Sequence, residues 1–306
     1  MPRRRLATVT SEFGSGKRES HDATAFYKRF GPPRISQEAR VAPPSSVDTL
    51  FHGDAAEMTA EQVADDSVAL IVTSPPYFAG KEYETELAGG HVPASYVAYL
   101  EMLTGVFAVC VHKLESGGRI AINVANLGRK PYRSLSADVV RILQDELGLL
   151  MRGEVIWQKA KGAGGSCAWG SYRSPQNPVL RDVTERVVIA SKGRFDRAIK
   201  RDERRAMGLP FEATIETEEF LEATLDIWEI PSESARKIGH PAPFPIALPR
   251  RLIELYTYRD DLILDPFIGS GTTALAAIET GRHYVGFDTD DSYLAIARQR
   301  IAETSP

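Results

Sequence analysis

The sequence predicts an α/β fold built on a doubly wound, mostly parallel sheet. Three observations carry this prediction. Short apolar runs alternate along the chain with segments of helical spacing. The run Val68-Ala69-Leu70-Ile71-Val72 is apolar at every position, as a strand buried on both faces requires. Residues 263–273 read as strand, glycine turn and helix, the opening of a nucleotide-binding βαβ unit. With 306 residues, 43% of them hydrophobic, the chain can fill the core of one large domain and a smaller insertion.

Residues 1–45 hold basic residues, glycines and the pairs Pro32-Pro33 and Pro43-Pro44 with little apolar periodicity. They are expected to form a flexible basic arm before a domain over 46–306. Phe13–Arg18 imitates a phosphate loop and fails as one. No strand precedes it, Ser11 stands at the first glycine position, and Arg18 replaces the hydroxyl residue. Order is expected from about Val47, with a short strand over Thr49–His52 leading to Gly53-Asp54. After the 68–72 strand, Val97, Leu100, Leu103, Phe107, Val111 and Leu114 recur at helical spacing. Gly117-Gly118 should end that helix before a strand over 119–124. A helix over 134–148, strands over 151–158 and 183–190, and a terminal helix over 291–303 complete the pattern.

The middle of the chain departs from alternation. Residues 155–181 hold Lys159, Lys161, Arg173 and Arg181 and no acid, with Trp157, Trp169 and Tyr172 among glycines. Residues 192–205 add seven basic residues against three acids. Basic and aromatic side chains interleaved in this way suit a nucleic-acid groove. Both stretches are expected on one face, across a cleft from Tyr77, with Arg201, Arg204 and Arg205 on phosphates. Arg173, Gln176 and Asn177 are the candidates for reading base edges.

Two stretches carry the chemistry. The 68–72 strand runs into Thr73-Ser74-Pro75-Pro76-Tyr77, where two prolines stop it and stiffen the turn. A hydroxyl and an aromatic ring thereby project past a strand's C-terminal end, where open parallel sheets bind ligands. The second stretch is Asp265-Pro266-Phe267-Ile268-Gly269-Ser270-Gly271-Thr272-Thr273. Its glycines allow a tight turn and close backbone approach, and the alanine-rich helix that follows turns free amides toward a ligand. Asp288 ends the next strand at close to the ~20-residue spacing at which an acid meets a ribose. The loop lacks a phosphate-binding lysine and suits a nucleoside with a small zwitterionic tail.

Together these stretches resemble the amino-methyltransferases of DNA, which use S-adenosyl-L-methionine. Asp265–Gly271 is similar to that family's cofactor motif and Ser74-Pro75-Pro76-Tyr77 to its catalytic motif. His240-Pro241-Ala242-Pro243-Phe244-Pro245 is similar to an element that helps close the cofactor pocket. The catalytic motif comes first, an order that resembles the circularly permuted beta class. The resemblance spans about 47–303 and implies a Rossmann-like methyltransferase fold with a target-recognition region inserted over 160–235. It implies that Ser74, Pro75, Pro76 and Tyr77 act on the base, with Phe78 extending the stacking surface. Asp54, His240, Pro241, Asp265, Phe267, Gly269, Gly271, Thr272 and Asp288 would hold the cofactor, Asp54 at the adenine end and Asp288 at the ribose hydroxyls.

The implied reaction is methylation of the exocyclic amine of a base flipped out of double-stranded DNA. A serine at the first motif position favours cytosine N4 over adenine N6. Structured RNA as substrate and a non-catalytic cofactor-binding DNA module are the alternatives. A partner restriction endonuclease is compatible with this family. The net charge of −4 and a pI near 5.9 exclude a uniformly basic binder but not a local basic face. Cys110 and Cys167 form neither a disulfide framework nor a metal pattern, and neither sits in the Pro-Cys context of ring-carbon methylation. A reducing, cytoplasmic setting is expected.

Overall fold

A computed structural model describes residues 35–76, 95–126, 131–159, 170–180, 182–232 and 244–304. Eight strands form one sheet: β1 (Thr49–His52), β2 (Val68–Thr73), β3 (Leu114–Val124), β4 (Leu150–Gln158), β5 (Thr184–Ser191), β6 (Ile227–Glu229), β7 (Leu262–Asp265) and β8 (His283–Asp288). Their spatial order is β1-β8-β7-β2-β3-β5-β4-β6. All pairs are parallel except the two made by β5, which runs antiparallel between β3 and β4. The helices are α1 (Tyr96–Lys113), α2 (Leu135–Arg141), α3 (Arg201–Ala206), α4 (Thr217–Ala223), α5 (Ala247–Tyr256), α6 (Thr272–Glu279) and α7 (Asp291–Thr304). None among the described residues is long and apolar enough to cross a membrane.

The apolar strands are buried on both faces. Ile71, Ile120, Ile122, Val188 and Leu264 join α1 and α2 in one core, while Leu70, Val72, Ala121, Val187 and Ile263 join α5, α6 and α7 in the other. Successive residues of a strand point to opposite faces, so two helical layers demand an unbroken apolar run. On α1 the buried stripe is Tyr99, Leu100, Leu103, Val106, Phe107 and Cys110, and Val97 is exposed. Gly117-Gly118 lies inside β3 rather than closing α1. Gly117 has φ 79°, and a Cβ there would meet the Asp196 carbonyl at 1.9 Å. Close backbone packing, not helix termination, requires that glycine.

The structure corrects the expectation for the basic run 192–205. It follows β5, whose C-terminal end pairs with β3 through Ser191↔Arg119, level with Leu70 near the start of β2. The run therefore begins at the sheet edge opposite Ser74. Lys192 pairs with Asp66, and Arg197 with Glu115 and Asp261. Arg204, 6% exposed, pairs with Asp261 at 3.1 Å and donates to the Pro210 carbonyl. These charges bind the run to the fold at that edge, opposite the one at which β4 ends in Trp157 and Gln158. The described part of the expected arm is also tied there: Ser36 donates to the Gly193 carbonyl, Ala42 to that of Asp66, and Ser116 to that of Arg40. Within the 160–235 interval, β5 and β6 belong to the sheet itself.

Asp261→Ala should therefore destabilise the protein by about 3–5 kcal/mol, because it strips buried arginines of a shared partner. Arg205 is exposed and stacks on Phe211 at 4.5 Å, and Arg205→Ala should cost no more than about 1 kcal/mol. Urea unfolding of the two variants checks the contrast.

Candidate active site

Four parallel strands, adjacent in the order β1-β8-β7-β2, end at one edge of the sheet. Each delivers a residue expected at the site. β1 leads to Asp54, β8 ends in Asp288, β7 leads into 265–271, and β2 leads into Ser74-Pro75-Pro76. Three inter-strand steps separate the outer two, roughly 14 Å. Tyr77, Phe78, His240 and Pro241 lie outside the described residues.

Asp288 is half-buried. Gly269 N donates to its Oδ2 and Asp290 N to its Oδ1, each at 2.9 Å. Burial pushes its carboxyl above the usual range, against those amide bonds. A carboxylate offers about four lone-pair sites, so acceptor capacity remains beyond these amide bonds. Gly53 N donates to the Asp288 carbonyl at 2.9 Å and so holds the β1 exit against β8. Asp54, exposed, caps the short turn Ala55–Glu57 by accepting from Ala56 N at 2.8 Å.

The glycine loop is built for its shape. Gly269 and Gly271 both have positive φ, 50° and 82°. Gly271 caps α6, and a Cβ on it would come within 2.9 Å of Ala297 Cβ. Thr272 opens α6, and Arg300 of α7 donates to its Oγ1 at 3.3 Å and to the Ser270 carbonyl at 2.6 Å. Phe267 is half-buried and packs on the α1 core. The first-turn amides of α6 lack partners within the helix and suit a carboxylate tail.

Asp265 is turned inward. Its Oδ1 accepts from Thr73 Oγ1 at 2.6 Å and from Phe267 N at 3.0 Å, and its Oδ2 from Thr273 Oγ1 at 2.6 Å. Its carboxylate thus joins β2, the loop and α6. Burial pushes its pKa up to about 6, against those hydrogen bonds. Sequence reasoning missed Thr73 and Thr273, although Thr73 directly precedes the Ser-Pro-Pro turn. Pro75 is buried, and Ser74 and Pro76 are half-buried. β4 ends and β5 begins with Gln158 beside Thr184, at the same edge as Ser74. Arg173, Gln176 and Asn177 are exposed.

A model of the DNA methylase family matches residues 68–299. The type II methyltransferase M.ScaI of Streptomyces caespitosus is 30% identical over 264 residues, covering 82% of this chain and 80% of that protein. M.MjaI of Methanocaldococcus jannaschii is 27% identical over 285 residues, covering 82% and 90%. Among solved structures, TTHA0409 of Thermus thermophilus is 27% identical, covers 84% of this chain and 95% of its own, and gives a TM-score of 0.64. Its complex with S-adenosyl-L-methionine gives 0.63. The PvuII DNA methyltransferase (cytosine-N4-specific), 20% identical, shares the fold with a TM-score of 0.61 over 85% of this chain and 93% of its own.

A carboxyl whose folded pKa is raised is penalised once ionised. Its favourable contribution is present below pH 3.8 and lost as pH rises through about 6. Relative to Asp265→Asn, the wild type should lose on the order of 3 kcal/mol across that window. Chemical denaturation of both proteins between about pH 4 and 7 reads the difference.

Proposed function

The chain belongs to the DNA methylase family of N6- and N4-amino-methyltransferases, and from that membership we propose that it methylates an exocyclic base amine in duplex DNA. S-Adenosyl-L-methionine is the proposed methyl donor, and the permuted beta class the proposed subgroup. The observation that carries the reading is the order of groups along one sheet edge. Asp54, Asp288, the 267–272 loop and Ser74 follow one another as adenine end, ribose, amino-acid tail and target amine would.

Bound at that edge, S-adenosyl-L-methionine supplies a methyl group made electrophilic by its sulfonium. Asp288 would accept from the ribose hydroxyls with its remaining lone pairs. Gly269, Gly271 and Thr272 would line the tail, and Asp265 would hold the loop in shape. Ser74 and the Pro75 carbonyl would accept hydrogen bonds from the amine. That pulls the nitrogen lone pair out of conjugation with the base and aims it at the methyl carbon. The surplus amine proton leaves to solvent after transfer. Tyr77 would stack on the flipped base and offset part of the unpairing cost; His240 and Pro241 would help close the cofactor pocket.

Cytosine N4 is the proposed target on the serine at position 74, with adenine N6 as the second reading. Arg173, Gln176 and Asn177 are proposed to read base edges. They are exposed, and their planar or amide groups can address base edges. A partner endonuclease and a cytoplasmic setting accompany the proposal.

Methyl-labelled cofactor and duplex DNA, followed by nucleoside analysis, test the reading. Label should appear on cytosine N4 or, on the second reading, adenine N6. Label on ring carbon C5, or on RNA alone, would overturn it. Ser74→Ala should keep cofactor affinity within about threefold and lower single-turnover rate at least ~100-fold, roughly 2.7 kcal/mol. Asp288→Ala should instead weaken cofactor binding by about 1.5–3 kcal/mol, with much of the rate restored at saturation. Titration calorimetry and single-turnover kinetics separate the two behaviours.

A further inference from the structure

A second polar cluster lies buried at the reactive edge, one strand beyond Ser74. β3 pairs with β2 through Thr73↔Ile122, so Asn123, the next residue on β3, lies beside Ser74. Asn123 is 2% exposed and Glu185 8% exposed. Asn123 Nδ2 donates to Glu185 Oε2 at 2.6 Å, and Lys159 Nζ donates to Glu185 Oε1 at 2.8 Å. The three residues come from the ends of β3, β5 and β4 that face the site.

This clamp fixes which way the Asn123 amide points. A carboxylate only accepts, so the amide nitrogen must face Glu185 and Oδ1 must face away from it. That oxygen is buried and has no hydrogen-bond partner among the described residues. A buried acceptor with no donor is costly, and buried polar atoms left in this state commonly mark a function or a bound molecule. It sits next to the turn that is to receive a group with two N–H donors.

We propose that Asn123 Oδ1 is a further acceptor for the exocyclic amine of the flipped base, held in orientation by Glu185 and Lys159. The inference rests on the amine-methylation reading. Its chemical consequence is selectivity. A base with a keto oxygen in place of the amine, such as uracil or hypoxanthine, would set acceptor against acceptor and be refused. Glu185 and Lys159 act through Asn123 and are positioning residues.

A functional-group cycle tests this with duplexes that carry the protein's own methylation site. The target base is either intact or replaced by the analogue with hydrogen in place of the amine, and binding is measured with S-adenosylhomocysteine present. Removing the amine should weaken wild-type binding roughly tenfold and Asn123→Ala binding less than about threefold. Single-turnover rate should fall at least ~30-fold in Asn123→Ala, with cofactor affinity within about threefold. Glu185→Gln keeps the volume but no longer dictates the amide's orientation. It should fold and show an intermediate loss of rate and of amine sensitivity, which keeps the test decisive if Asn123→Ala misfolds.

Equal amine sensitivity in wild type and variants would mean that an internal water meets Oδ1, and would overturn the proposal alone. A wild type that methylates no base amine would overturn the underlying reading and this one with it.

Discussion

Asp265 lies 192 positions from Thr73 and 8 from Thr273, and its carboxylate joins the two. Its carboxylate is fully enclosed, and its three partners come from the strand before the Ser-Pro-Pro turn, from the glycine loop and from the helix behind that loop. A buried carboxylate is tolerated only where its oxygens are satisfied. Satisfying this one fixes the spacing between the Ser-Pro-Pro turn and the glycine loop, which on the proposed reading hold the base and the methyl donor. In-line transfer depends steeply on that spacing. The cost is a carboxyl whose burial lifts its pKa to about 6, a local strain on stability of the kind found where a site must be rigid.

The sheet order gives this tie its value. Because β1, β8, β7 and β2 are parallel and adjacent, their C-terminal ends form one continuous rim. Asp288 is linked to both neighbours on that rim, through its carbonyl to Gly53 and through its carboxylate to Gly269. Asp265 continues the chain of contacts to β2. The far rim is built by different means, with Arg197, Arg204, Glu115 and Asp261 forming a buried charge network. One edge thus carries the groups of the proposed site, and the other holds the 192–205 segment down.

Much of this was legible in the sequence, for identifiable reasons. The 68–72 run had to be doubly buried, because an apolar residue at every position cannot serve a one-faced strand. The glycine loop and Asp288 were legible because nucleotide-binding βαβ units space those groups within one local unit. The role of 192–205 was not. A run of basic residues looks the same whether it faces phosphates or buried acids, and Asp261 lies far away in sequence. Gly117 read as a helix stop, because nothing local reveals that the Asp196 backbone presses against it. The tie through Asp265 was not legible, because its bonds to the two threonines exist only once β2, β7 and α6 have packed. Asn123 left a fainter sign, a single amide in the otherwise apolar stretch Ile120–Val124 at the end of β3.

If the Asp265 tie makes the turn and the loop one unit, a change on the β2 side must be felt on the cofactor side. Thr73→Val removes one hydroxyl from that tie and keeps the side chain's volume. Cofactor affinity measured by calorimetry should then fall at least about threefold, together with a roughly tenfold fall in single-turnover methyl transfer, although Thr73 is assigned no contact with either substrate. A variant that merely melts earlier, with unchanged affinity and rate in its folded fraction, would contradict the account.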